Sequence, residues 1–168
     1  MRLFIAVKPD KKTLDSLISL QRQFKSQGVY GNYTPVSNLH ITLAFIGEYQ
    51  YPKKVTDAVK TVPFSPFELS VKGVGHFGEL YYADVCVSEN MKTYVKELRA
   101  ALDQAGIPYD KKNFTPHITL LRRASRPASA GITEAPVKMT ADRVYIMRSD
   151  RTPSGMKYTD IGSAGHTE

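Results

Sequence analysis

The tetrapeptide His-Ile-Thr-Leu occurs twice, at residues 40–43 and 117–120, and constrains this chain more than any other feature. Each copy sits in an apolar, β-branched run, residues 38–46 and 114–121. Such runs predict strands. Side chains alternate across a strand, so the His and Thr of each copy share one face and the Ile and Leu share the other. Each strand therefore offers an imidazole and a hydroxyl together, backed by an apolar face. Two imidazoles turned to one cleft can move protons in opposite senses, which suits chemistry at a phosphate.

The two copies begin 77 positions apart, close to half of the 168 residues. Between and around them the pattern predicts a repeated order. Residues 3–7 are apolar on both faces, as in a central strand. Asp10 is placed to cap a helix carrying Leu14, Leu17, Ile18, Gln21 and Phe24 and ending near Gly28. Residues 30–37 read as loop before the first His strand. Pro52 opens a short helix with Val55, Val59 and Val62 on one face. Phe67, Leu69 and Val71 alternate with polar residues, Gly73, Gly75 and Gly78 mark a turn, and residues 81–87 form another strand. A helix follows from about Ser88 to Gln104, with Met91, Tyr94, Val95, Leu98 and Leu102 inward. After the second His strand, residues 124–136 read as loop, residues 137–147 and 156–161 as a closing hairpin, and residues 163–168 as a frayed tail. The expected fold is α+β: one domain, residues 1–168, of two pseudo-symmetric lobes. Each lobe is an antiparallel sheet with helices outside, the lobes exchange near residues 75–85, and both His strands meet at a central cleft.

Charge and composition narrow the partners. The formal net charge of +7, from 23 Lys and Arg against 16 Asp and Glu, favours an anionic ligand. A single cysteine, Cys86, rules out an internal disulfide and a Cys-based zinc site, and reads as a small core residue. No run approaches a membrane span, and residues 1–8 are too short for a signal peptide, so a cytoplasmic protein is expected.

Residues 2–6 (Arg-Leu-Phe-Ile-Ala), 38–47 and 114–122, with the glycine-rich turn at residues 73–77, resemble the 2H phosphoesterase superfamily, named for two His-x-Thr/Ser-x motifs. Its branch of RNA 2',3'-cyclic phosphodiesterases, also called the 2'-5' RNA ligase family, is the most similar. Many members carry a tryptophan on the strand after the glycine-rich turn; this chain has Glu79-Leu80-Tyr81-Tyr82-Ala83-Asp84 there and no tryptophan at all.

The resemblance implies metal-independent hydrolysis of terminal 2',3'-cyclic phosphates to 2'-phosphates, without a cofactor. It makes His117 the base for water and His40 the acid for the leaving 3'-oxygen. Spacing alone leaves those two roles interchangeable. Thr42 and Thr119 can hydrogen-bond the non-bridging oxygens. The resemblance gives Arg122 a place at the phosphate, whereas strict alternation puts Arg123 on the His117 face unless the strand bulges or ends near Leu121. Phe45 holds the equivalent place after His40 and could stack on a base. The expected partners are RNA ends or small nucleotides bearing a cyclic phosphate, met by a monomer; a role in tRNA processing and reverse 2'-5' joining come with the family name. Two alternatives stand beside this: the same chemistry on a small cyclic nucleotide, an ADP-ribose cyclic phosphate or a 2'-5' oligoadenylate, and a non-catalytic nucleotide- or RNA-binding module.

Overall fold

The computed structural model describes residues 1–128 and 131–165. The chain runs β1 (Arg2–Val7), α1 (Lys11–Ser26), β2 (Asn32–Tyr33), a 3-10 turn (Val36–Asn38), β3 (Ile41–Glu48), α2 (Pro52–Lys60), β4 (Phe67–Phe77), β5 (Leu80–Val87), α3 (Glu89–Gln104), β6 (His117–Arg122), β7 (Val137–Ala141), β8 (Arg143–Thr152) and β9 (Gly155–Gly165). Helix starts agree with their caps. Asp10 accepts from the Thr13 N–H, Ser88 accepts from the Met91 N–H, and Pro52 begins α2.

The strands form two sheets, in the orders β3-β1-β8-β9 and β2-β6-β5-β4-β7, and every pairing is antiparallel. Helix α1 packs on β6 and β7, and α3 on β3 and β4, so the helices cover the apolar faces of the sheets. Leu3, Ile5 and Val7 of β1 enter the main core with Ile41, Leu43, Ile118 and Leu120. Phe4 and Ala6 emerge on the opposite face, where they pack with Met147, Phe45, Tyr145 and Tyr158. Sheet alternation thus gives β1 one core face and one aromatic face toward the cleft.

Several expectations change. The loop expected at residues 30–37 contains β2, which pairs with Leu121 and Arg122 of β6. Gly73 and Gly75 lie within β4 rather than in a turn. The pairing slips between Val71 and Val74, where Gly73 takes φ +82°, and the turn falls after Phe77. That turn joins two paired strands of one sheet, so the chain does not exchange sheets near residues 75–85. It enters the second sheet for β2, returns for β3, crosses again at β4, and comes back at β8. Residues 137–147 are not one strand: the alternation of Val137, Met139 and Ala141 breaks at Asp142-Arg143 and resumes one position out of phase at Val144 and Ile146, and residues 137–141 pair with β4 whereas residues from Arg143 on pair with β1 and β9. Cys86 is exposed rather than buried, because Tyr81, Ala83 and Val85 take the inward face of β5. Ser163–Gly165 are not frayed but pair with Tyr145, Val144 and Arg143; residues 166–168, including His166, lie outside the described residues. Among the described residues no helix is long and apolar enough to cross a membrane.

Candidate active site

The two His motifs use the same local geometry. The Nδ1 of His40 lies 2.7 Å from the carbonyl oxygen of Asn38, and the Nδ1 of His117 lies 2.8 Å from that of Thr115, two residues upstream in each case. A carbonyl only accepts, so each Nδ1 carries a proton and donates it, and each imidazole turns its Nε2 away from the carbonyl that holds it. His40 does not lie in β3 as expected; it sits just before Ile41, after the 3-10 turn, and the Asn38 side-chain amide fastens that turn by donating to the Met156 carbonyl at 2.9 Å. The Thr42 hydroxyl lies 2.9 Å from Nε2 of His40. The His40 ring is set between Phe4, at 4.9 Å, and the edge of Tyr158, at 5.3 Å. Burial lowers the pKa of His40 from its ordinary value. The bond to Asn38 works against this, and the nearby His117 and Arg122 add to the lowering. His117 and Arg122 are therefore both within electrostatic reach of His40.

A matched pair of bulges sets the direction of the side chains downstream of each histidine. In β3, Ile5 faces Ala44 and the next residue, Ala6, faces Thr42, so Leu43 is the extra residue. In β6, Tyr81 faces Leu121 and Tyr82 faces Thr119, so Leu120 is the extra residue. Leu43 and Leu120 are the same position of the repeated tetrapeptide. Each bulge buries two successive apolar side chains and shifts the alternation by one. Phe45 thereby joins the face of Thr42, and Arg122 joins the face of His117 and Thr119. Arg123 leaves the strand in a left-handed conformation, φ 56°, so of the two arginines it is Arg122 that shares the His117 face.

Each bulge is held by a side chain from a helix. The carbonyl of Leu43 accepts from Nε and Nη2 of Arg99 on α3, at 3.4 and 3.1 Å. The carbonyl of Leu120 accepts from Nε2 of the buried Gln21 on α1, at 3.1 Å, and from the Thr34 N–H at 3.0 Å. A carbonyl turned out of its ladder needs such a donor when buried. Helical spacing turns Gln21 inward, but nothing in the sequence marks either residue as a partner of the motif it holds.

His40, Thr42, Phe45 and Arg122 line one cavity of about 720 Å³, together with Arg2, Arg148 and Arg151. The two carboxylates in its wall are engaged, Glu48 by the Met1 amino group and Asp150 by Arg148, each at 3.0 Å. The guanidinium of Arg2 lies 4.8 Å above the Phe45 ring. His117 lines a smaller wall with Phe77, Tyr82 and Phe114. Thr119 is half-buried on the His117 face. His76 stacks on Tyr81 at 5.3 Å and lines neither cavity. No group of three or more His, Cys, Asp or Glu that could hold a metal ion occurs among the described residues.

Comparison with known proteins gives the family. The family model of the 2'-5' RNA ligase superfamily matches residues 12–153. The chain belongs to that family. Two named RNA 2',3'-cyclic phosphodiesterases are similar along nearly their whole length. The protein of Thermotoga maritima is 26% identical, over 94% of this chain and 91% of its own. That of Archaeoglobus fulgidus is 28% identical, over 96% and 98%. Among solved structures, TT0787 of Thermus thermophilus superposes with a TM-score of 0.80 at 26% identity, covering 98% of this chain and 97% of its own. E. coli LigT complexed with 3'-AMP shares the fold, with a TM-score of 0.83 at 21% identity and 99% and 98% coverage.

Proposed function

We propose that this family member is an RNA 2',3'-cyclic 3'-phosphodiesterase that leaves a 2'-phosphate. The observation that carries the reading is the pair of imidazoles, each with its Nδ1 held by a carbonyl two residues upstream, with His117 and Arg122 both within electrostatic reach of His40. Opening a cyclic phosphate needs a base on the attacking water and an acid on the departing oxygen, and two imidazoles on opposite sides of the phosphorus, one unprotonated at Nε2 and one protonated there, serve both. In this reading His117 takes the proton from water and His40 gives one to the 3'-oxygen. The hydroxyls of Thr42 and Thr119 and the guanidinium of Arg122 hold the non-bridging oxygens while charge builds on them. The same steps in the same direction, with a 5'-hydroxyl attacking in place of water and the 3'-oxygen leaving, join ends through a 2'-5' bond. The size of the His40 cavity and the arginines around it favour a polynucleotide end over a lone nucleotide, since a single cyclic phosphate carries one charge.

The test is incubation with an oligoribonucleotide ending in a 2',3'-cyclic phosphate, with a chelator present, then chromatography against authentic 2'- and 3'-monophosphate standards. A 2'-phosphate with a free 3'-hydroxyl is expected. Mainly 3'-phosphate would exchange the roles of His40 and His117 or reverse the sugar, and no turnover would remove the reading.

The depressed pKa of His40 has a signed consequence. In the substrate-free cleft His40 loses its proton below the ordinary value of 6.5, so at neutral pH it is uncharged. A phosphate anion placed against it favours the charged form, so binding takes up a proton. Calorimetry of a nucleoside 2'-monophosphate at pH 7, repeated in buffers of different ionisation enthalpy, should show net proton uptake that is lost in His40→Ala. The profile of kcat/KM should be bell-shaped, with the limb that belongs to His40 on the acid side of 6.5. Binding without proton uptake would exclude His40 as the acid.

A further inference from the structure

We propose that the base of the terminal nucleotide is read in the aromatic pocket beside His117, formed by Phe77, Tyr82 and Phe114, with Asp84 accepting a hydrogen bond from an exocyclic amine. This rests on the reading of the cleft given above, since it names which part of that substrate the pocket takes.

The pocket is a cavity of about 290 Å³ lined by Phe77, Tyr82, Asp84, Phe114, Pro116 and His117, among others. That lies at the lower end of small-ligand sites, about 300 Å³, and suits one ring system rather than a whole nucleotide. Phe77 and Tyr82 are stacked, with centroids 4.8 Å apart and planes at 30°, and both lie edge-on to the His117 imidazole, at 6.0 and 5.4 Å. Phe77 nevertheless remains 58% exposed. One face is covered by Tyr82, and a large apolar ring is left in solvent next to a proton-transfer group. A flat π-surface there offers stacking to any base.

The position of these rings is built into the strand pair. Tyr82 lies directly across from Gly75, and a Cβ at that position would collide with its ring. Only glycine lets Tyr82 lie over β4 and support Phe77. The ring expected from the sequence to carry the base, Phe45, already has Arg2 over it and packs into the cluster around Phe4. The two walls of the cleft therefore differ in charge: the His40 side carries arginines beside its aromatic rings, and the His117 pocket carries rings with no arginine. A nucleotide presents the same division, with its phosphates leaving the ribose in one direction and its base in another. Asp84, on the rim, donates nothing and accepts from the Val85 N–H through one oxygen at 3.0 Å, which leaves the other for a ligand. Cytosine and adenine present an amine to it, whereas uracil presents a carbonyl at the corresponding edge.

Calorimetric titration with cytidine 2'-monophosphate, uridine 2'-monophosphate and ribose 2-phosphate tests this without depending on turnover. The nucleotides should bind about 5- to 150-fold more tightly than ribose 2-phosphate, the range a base–aromatic stack supports. Phe77→Ala should bring that ratio toward one, and Phe77→Tyr should restore it. Cytidine should be preferred over uridine by about tenfold, as for a hydrogen bond to a charged group, and Asp84→Asn should erase the preference. A ratio that stays unchanged in Phe77→Ala overturns the pocket, because general loss of structure would weaken all three ligands alike. Base-dependent binding in a protein with no activity on cyclic-ended RNA would instead overturn the proposed reaction and leave the pocket in place.

Discussion

Replacing either His40 or His117 by alanine should lower turnover of a cyclic-phosphate-ended RNA about 10²- to 10⁴-fold, the usual contribution of general acid–base catalysis. The structure motivates the effect for both residues equally, since each imidazole has its proton fixed on Nδ1, and the remaining described imidazole, His76, is stacked on Tyr81 outside both cavities. The double variant should lose less than the product of the single losses, because neither proton transfer is useful without the other. His40 is buried between Phe4 and Tyr158, so circular dichroism and a melting curve must accompany the rates. A folded single variant with near-normal turnover would falsify the two-histidine mechanism.

Releasing the bulges should be the next most damaging change. Gln21→Met and Arg99→Met each keep much of the side-chain length but remove the donors to Leu120 and Leu43. Without those donors the bulge carbonyls lose partners, and the strands are free to relax toward regular pairing, which would turn Arg122 or Phe45 away from its histidine. Displacements of about 1 Å in such a constellation cost on the order of 10²-fold in rate, so kcat/KM should fall by about that much, measured well below the melting temperature. Some loss of stability, about 1–3 kcal/mol, should accompany it from the under-bonded carbonyls. A merely structural role is separated by a double-mutant cycle. If Gln21 acts by aiming Arg122, then Gln21→Met should add little to an Arg122→Ala variant, whereas a general weakening of the fold would add in full. Arg99→Lys, which retains a donor, should recover part of the Arg99→Met loss.

These bulges also mark where the sequence stops being informative. Counting by twos from His117 reaches Arg123, and only the pairing of Tyr81 with Leu121 and Tyr82 with Thr119 shows that Leu120 is skipped. A bulge is a relation between two strands, so one strand's residues cannot declare it. The sheet change at Asp142 is marked by a break in the apolar alternation at Asp142-Arg143, but the same limit hid which strands pair on either side of it. It also hid β2, whose two residues are a strand only because β6 lies beside them. Cys86 is a different case. The alternation of Tyr81, Ala83 and Val85 already places it outward, and the general preference of cysteine for burial is the weaker guide.

The sequence by itself determined local chemistry. Two His-x-Thr units beside or on strands, helix caps at Asp10 and Ser88, and the inward faces of α1 and α3 all come from side-chain spacing along one element. They suffice to give the α+β class, and the resemblance of residues 2–6, 38–47 and 114–122 to known members implies the family. Tertiary structure decided which atoms meet. It set the carbonyls of Asn38 and Thr115 against the imidazoles and turned Arg122 inward. It clamped each motif with a helix residue remote in the chain, and it gathered the arginines on the His40 side of the cleft and left none in the aromatic pocket beside His117. The physical reason is that spacing fixes only which face a side chain takes within its own element. Register, bulges and helix docking are settled instead by the pairing energies of segments far apart in the chain, as where Gln21 reaches Leu120 across 99 positions.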